Sequence, residues 1–184
     1  MKINLGCGDR YAPGWVNVDW AGSPHRKDET VDLTGELPWP DGSLTEIYAG
    51  HLLEHLDLEQ CHLLLSRLLR CTAEQGHIMV VGPDLPTAYQ MQKDGTLDVT
   101  IDSLLYGAER WPGDRHLWES SAQTCKDLLI EAGWGHPYQL PVTTAALHWP
   151  VADDRPQWQF ALLAAKETDD QTEDRNDHTD DPDP

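Results

Sequence analysis

Short apolar runs and one long amphipathic stretch divide the chain into recognisable elements. "KINL" (residues 2–5) is a brief apolar strand that breaks at "GCGD", and after "RYAPG" the run "WVNVD" (15–19) forms a second strand ending in Asp19. "TVDL" (30–33) makes a third strand, which Asp32 ends, followed by the turn-rich "LPWPDGS" and the alternating strand "LTEIYA" (44–49). "LEQCHLLLSRLLR" (58–70) repeats its apolar residues at helical spacing, and "AEQG" (73–76) reads as its stop, with Gly76 in the cap role. "HIMVVGPD" (77–84) is continuously apolar, as a strand buried on both faces should be. Residues 84–119 read as irregular. "SSAQTCKDLLIEAGW" (120–134) is an N-capped helix closed by Gly133, and final strands lie near "PYQLPV" and "WQFALLAAK". Strand and helix alternate around a buried strand, which predicts an α/β fold with a mostly parallel sheet.

Composition changes this picture at one end. Of 184 residues carrying a net charge of −19, those from Glu167 onward are acidic and contain no hydrophobic residue. Such a segment buries too little apolar area to offset its ordering entropy. The expected organisation is one domain over residues 1–166 and an acidic disordered tail over 167–184. The folded part stays acidic and has no Lys/Arg stripe, so nucleic acid and membrane are not expected partners. The opening residues lack the apolar core of a signal peptide, and four cysteines show no paired spacing. A reducing, cytoplasmic location is the expectation.

Candidate chemistry gathers at strand ends, where doubly wound sheets bind ligands. Gly6 and Gly8 follow the first strand, Asp19 ends the second and Asp32 the third. Missing side chains let a ligand approach the backbone, and a carboxylate accepts hydrogen bonds from ribose hydroxyls, so the set suits an adenosine-containing ligand. A nicotinamide dinucleotide fits poorly: Tyr11 stands where a third glycine is needed, and Asp19 comes too soon after Gly8. "HLLEH" (51–55) raises a different reading. It fits the H-x-x-E-H pattern of zinc hydrolases, with His51 and His55 on one helix face and Glu54 as general base. Asp57, Glu59, Cys61 and His62 stand at no metal-ligand spacing, so no metal is expected.

Several stretches in register resemble the class I S-adenosylmethionine-dependent methyltransferases, in particular their small type-11 branch. "NLGCGDRYAPGWVNVD" looks like the glycine motif with its acidic ribose residue. "VDLTGELPWPDGSLTEIYAGHLLEHL" is similar to the family's D-x(4)-LPFPD…LEH stretch, and "DRHLWESSAQTCKDLLIEAGW" to a later segment. The match runs from about residue 2 to 165. It implies a Rossmann-like seven-stranded sheet with an antiparallel C-terminal strand and S-adenosyl-L-methionine as cofactor. The methionine part would rest on Leu5, Gly6, Cys7 and Gly8. Asp19 would bind the ribose, and Asp32 and Leu33 would frame the adenine. Ala49, Gly50 and His51 would line the methyl-transfer side.

The chain departs from the family at the first crossover. Only residues 6–14 separate the first two strands; extended, they reach about 30 Å, enough to return along a strand of ~13 Å as a loop but not as a helix. The implied activity is methyl transfer by in-line displacement to a small-molecule acceptor, in a monomer or homodimer. His51 and His116 are the candidate catalytic residues, with Tyr106, Trp111 and Trp118 as walls of an acceptor pocket. The alternatives are the zinc hydrolase and a non-catalytic S-adenosylmethionine-binding protein.

Overall fold

The computed structural model describes residues 1–107, 113–150 and 156–167. Trp111 and the acidic segment beyond Glu167 lie outside them. Seven strands form one sheet: β1 (Lys2–Leu5), β2 (Val16–Asp19), β3 (Glu29–Thr30), β4 (Leu44–Gly50), β5 (Thr72–Pro83), β6 (Gly135–Leu140) and β7 (Gln159–Ala165). Their order is β3-β2-β1-β4-β5-β7-β6. β1 pairs parallel to β2 and β4, and β4 parallel to β5, while β7 runs antiparallel to both β5 and β6. The expected seven-stranded sheet with an antiparallel C-terminal strand is therefore present.

The helices cover the two faces unequally. α1 (Leu58–Cys71) starts on a capping box in which Asp57 accepts from the Gln60 N–H and Gln60 from the Asp57 N–H. Its buried Cys61, Leu64, Leu65, Leu68 and Cys71 recur at helical spacing. They meet Ile3, Leu5, Val18, Ile47, Ile78 and Val80 of the sheet, together with Cys125, Leu128 and Leu129 of α4 (Ala122–Glu131). Ser121 caps α4, and Gly133 follows it at φ 93°, a left-handed value that suits glycine. The opposite face carries a smaller cluster: Tyr48, Met79, Val81 and Ala161 pack under Val142 and Ala145 of the one-turn helix α5 (Val142–Ala145), beside Trp15 and Trp149.

The first crossover is a loop, as its length predicted, and a buried polar network does the work of the absent helix. The Asn17 side chain, fully buried, accepts at Oδ1 from Asn4 Nδ2 (2.9 Å) and the Ala12 N–H (2.7 Å). Its Nδ2 donates to the carbonyls of Ala12 and Trp15 and to Asp28. Asn4 Nδ2 also donates to the Arg10 carbonyl. A loop crossing a sheet must satisfy its backbone without helical bonds, and two buried asparagines supply the partners.

Three sequence expectations are corrected. Gly76 caps no helix: α1 passes directly into β5 at Thr72, whose hydroxyl donates to the Leu68 carbonyl. Residues 73–76 form an irregularity in the β4–β5 ladder, where Leu44 pairs with Thr72 but Glu46 with His77. A Cβ on Gly76 would lie 2.5 Å from the Thr72 methyl, so this tight bend excludes side chains. β3 stops at Thr30, because the Asp32 carboxylate turns onto the Thr34 N–H and hydroxyl in an Asx turn. Lastly, the described residues between 84 and 119 hold two helices, α2 (Leu85–Lys93) and α3 (Ile101–Tyr106). Each buries only two residues, too short a stripe for periodicity to reveal.

Candidate functional site

The carboxyl ends of β1, β2 and β4 open onto one cavity of about 480 Å³, a volume usual for small-ligand sites. Gly6, Cys7 and Gly8 line it after β1, Asp19 at the end of β2, Gly50 at the end of β4 and His51 just beyond. The glycine turn is left-handed at both glycines, φ 59° at Gly6 and 50° at Gly8. A Cβ on Gly6 would meet Leu52 Cδ1 at 2.9 Å, whereas one on Gly8 would have no neighbour closer than 4.0 Å. Glycine at position 6 thus serves packing, and at position 8 it leaves the backbone open.

Asp19 is buried and holds this turn in place. Its Oδ2 accepts from the Gly8 N–H (3.0 Å) and from Ser23 Oγ (2.8 Å), and its Oδ1 accepts from the Trp20 N–H (2.8 Å). A carboxylate offers about four acceptor positions, so one remains for a ligand hydroxyl. Ser23 and Trp20 also line the cavity, and sequence reasoning missed both. Their signal, proximity to Asp19 in the following loop, carries no pattern of its own. Cys7 lines the turn as a buried thiol, pushed up to about 11 chiefly by burial.

Four residues expected around the cofactor do not line the cavity, and one of them, Ala49, is buried within β4. Leu5 and Leu33 point into the core shared with α1, and Asp32 is engaged in its Asx turn. Thr34 donates to Asp32 through both its hydroxyl and its N–H, and this holds the Asp32 carboxyl below the usual range.

The "HLLEH" stretch is not an α-helix. His51 sits at φ 51°, its N–H donating to the Val81 carbonyl, and only a 3-10 turn spans Leu53–His55. The His51 ring is held at both nitrogens: Nδ1 lies 3.0 Å from Glu54 Oε1, and Nε2 2.6 Å from Gln159 Oε1. Glu54 is wholly buried. Burial pushes its carboxyl up, but the hydrogen bond from His51 and the nearby imidazoles of His51, His55 and His116 outweigh that and hold it below the usual range.

His116 arrives from a distant part of the chain because residues 115–118 are laced to residues 53–56. Leu117 N–H donates to the Glu54 carbonyl, and the Trp118 indole donates to the carbonyls of Leu53 and Leu56. His55 Nδ1 donates to the Arg115 carbonyl. The rings of His55 and His116 then stand edge to face with centroids 4.9 Å apart. His116 Nδ1 donates to the Leu104 carbonyl at 2.7 Å, which leaves the lone pair on Nε2. Burial lowers the His116 pKa, so the ring is neutral at pH 7. Of the expected pocket walls, Trp118 turns instead to those carbonyls, and Tyr106 is exposed and does not line the cavity. No helix among the described residues is long and apolar enough to cross a membrane.

No family model matches the sequence. No curated protein matches it either. Solved structures match it by shape. A SAM-dependent methyltransferase from Archaeoglobus fulgidus superposes with a TM-score of 0.57 at 17% identity, over 89% of this chain and 85% of that one. A candidate O-methyltransferase from Nostoc punctiforme gives 0.57 at 14% identity over 89% of this chain, which spans only 51% of that protein. Human N-acetylserotonin methyltransferase, solved in complex with SAM, gives 0.54 at 16% identity over 91% of this chain and 47% of its own. With its 3-2-1-4-5-7-6 strand order and these neighbours, the chain has the fold of the class I S-adenosylmethionine-dependent methyltransferases.

Proposed function

We propose that the protein binds S-adenosyl-L-methionine in this cavity and transfers its methyl group to a small-molecule acceptor. One observation carries the reading: the glycine turn, Asp19 and the Gly50–His51 corner lie far apart in sequence yet line a single cavity at the strand ends. The residues fit the cofactor. Gly8 leaves open backbone where a side chain would intrude, and Asp19 keeps one acceptor position for a ribose hydroxyl. In this reading Gly6, Cys7 and Gly8 hold the methionine part and Asp19 with Ser23 the ribose. Trp20, which lines the cavity, takes the adenine contacts in place of Asp32 and Leu33. The type-11 assignment rests on the sequence motifs alone.

The bound cofactor supplies an electrophilic methyl on a sulfonium. The chain has mainly to hold the reactants in line, and orientation supplies much of the acceleration. His51, held at both ring nitrogens, has no lone pair free for a proton and serves as a fixed wall beside Gly50. His116 is neutral and carries its lone pair on Nε2, which makes it the group that assists an acceptor. Calorimetric titration with S-adenosylmethionine tests the cofactor, and release of S-adenosylhomocysteine on addition of candidate acceptors tests transfer. Absence of binding at millimolar cofactor overturns the reading; binding without turnover across a broad acceptor set favours a non-catalytic binding protein.

A further inference from the structure

At the cavity wall, Glu54, His55 and His116 bring together one ligand atom each, all within 4.8 Å of one another. Two imidazole nitrogens and a carboxylate oxygen are the donor set of a two-histidine, one-carboxylate metal site. The surroundings prepare each donor. His55 donates its Nδ1 hydrogen to the Arg115 carbonyl and His116 its Nδ1 hydrogen to the Leu104 carbonyl. Both rings are thereby fixed in the tautomer whose Nε2 carries the lone pair, the outer-shell arrangement usual for metal-bound histidine. Glu54 receives a hydrogen bond from His51 at 3.0 Å and is wholly buried, so its charge faces imidazoles and not water. Bonds of about 2.1 Å to one ion place three donor atoms about 3.4–3.6 Å apart, so a pair at the 4.8 Å limit closes by about 1 Å, within reach of side-chain rotation.

We propose that Glu54, His55 and His116 bind a divalent transition-metal ion of the zinc type. This ligand set differs from the His51, Glu54 and His55 grouping that "HLLEH" suggests. His51 is a support of the carboxylate, and the third ligand comes from the loop after α3. His55 and His116 both line the cavity, so a coordination position left open by three protein ligands is presented to its contents. Resting on the methyl-transfer reading, this assigns the acceptor a metal-binding oxygen; with the ion bound, the same His116 Nε2 lone pair assists the acceptor as a metal ligand, through the ion.

The test uses the full chain, stripped with a chelator and dialysed. Titration with cobalt(II), followed by its visible absorption, and with zinc(II) by calorimetry should each show one equivalent bound at micromolar metal. His116→Ala and His55→Gln should each weaken binding at least about tenfold, while His148→Ala, at an exposed histidine outside the cavity lining, should leave it unchanged. Failure of the wild-type chain to bind either ion overturns the proposal whether or not the variants fold, as does unchanged affinity in folded His116→Ala. A cofactor-induced rise in melting temperature, measured in chelator, separates the two readings. Cofactor binding without metal binding sinks only the metal site, and metal binding without cofactor binding sinks only the methyltransferase reading.

Discussion

The Gly8 backbone N–H donates to the Asp19 carboxylate at 3.0 Å, tying the turn after β1 to the end of β2. The same carboxylate holds Ser23 and the Trp20 N–H, so substitution here acts on both architecture and ligand. Asp19→Ala should abolish S-adenosylmethionine binding in calorimetry, and Asp19→Asn should weaken it at least about tenfold while lowering stability by about 3 kcal/mol. Unchanged affinity in either variant would remove Asp19 from the cofactor site.

Asn17→Ala should cost about 3 kcal/mol or more, because it strands the Ala12 N–H, two loop carbonyls and Asn4 away from water. Urea denaturation reads this as a lower midpoint with an unchanged slope. A loss under 1 kcal/mol would mean that the first crossover does not depend on this network.

Gly6→Ala carries both a positive φ and a contact at 2.9 Å with Leu52. The left-handed backbone alone costs about 1–2 kcal/mol. Gly8→Ala meets no neighbour inside 4.0 Å, so it should bear only the backbone cost yet still impair cofactor binding. Comparing the two in thermal unfolding and calorimetry separates packing from ligand access.

His116→Ala should leave cofactor affinity unchanged and slow methyl transfer by about 10²–10⁴-fold once an acceptor is known. A variant with full activity removes His116 from the acceptor side.

All four cysteines are buried, and burial is the chief cause that raises each thiol, Cys7 to about 11 and Cys61 to about 12. A disulfide reagent at pH 8 should therefore find no fast thiol in the native protein and four after denaturation. The unfolded thiols ionise near about 8.5. The raised folded values thus contribute stability that is complete below that pH and is lost as pH climbs toward 11. A rapidly reacting native thiol contradicts the burial assigned here.

The sequence by itself determined six of the seven strands in outline, the mostly parallel sheet and the two long helices, because those depend on local periodicity and on caps such as Asp57 and Ser121. It also determined that the first crossover is a loop, since chain length bounds reach. Gly6, Gly8 and Asp19 were legible because each stands directly at a strand end, where the fold itself makes a site, and Gly50 was legible only through the family resemblance. Tertiary structure decided the rest. Trp20 and Ser23 follow a strand without a pattern to mark them, and the short stripes of α2 and α3 hide among prolines and glycines. Asp32 was drawn away by a bond to Thr34 only two residues on, which a strand pattern does not anticipate. Above all, the pairing of His55 with His116 depends on hydrogen bonds from Leu117 and Trp118 to carbonyls of the Leu53–Leu56 turn. Such long-range backbone bonds leave no periodicity in the residues that make them, so no reading of spacing could bring those two rings together.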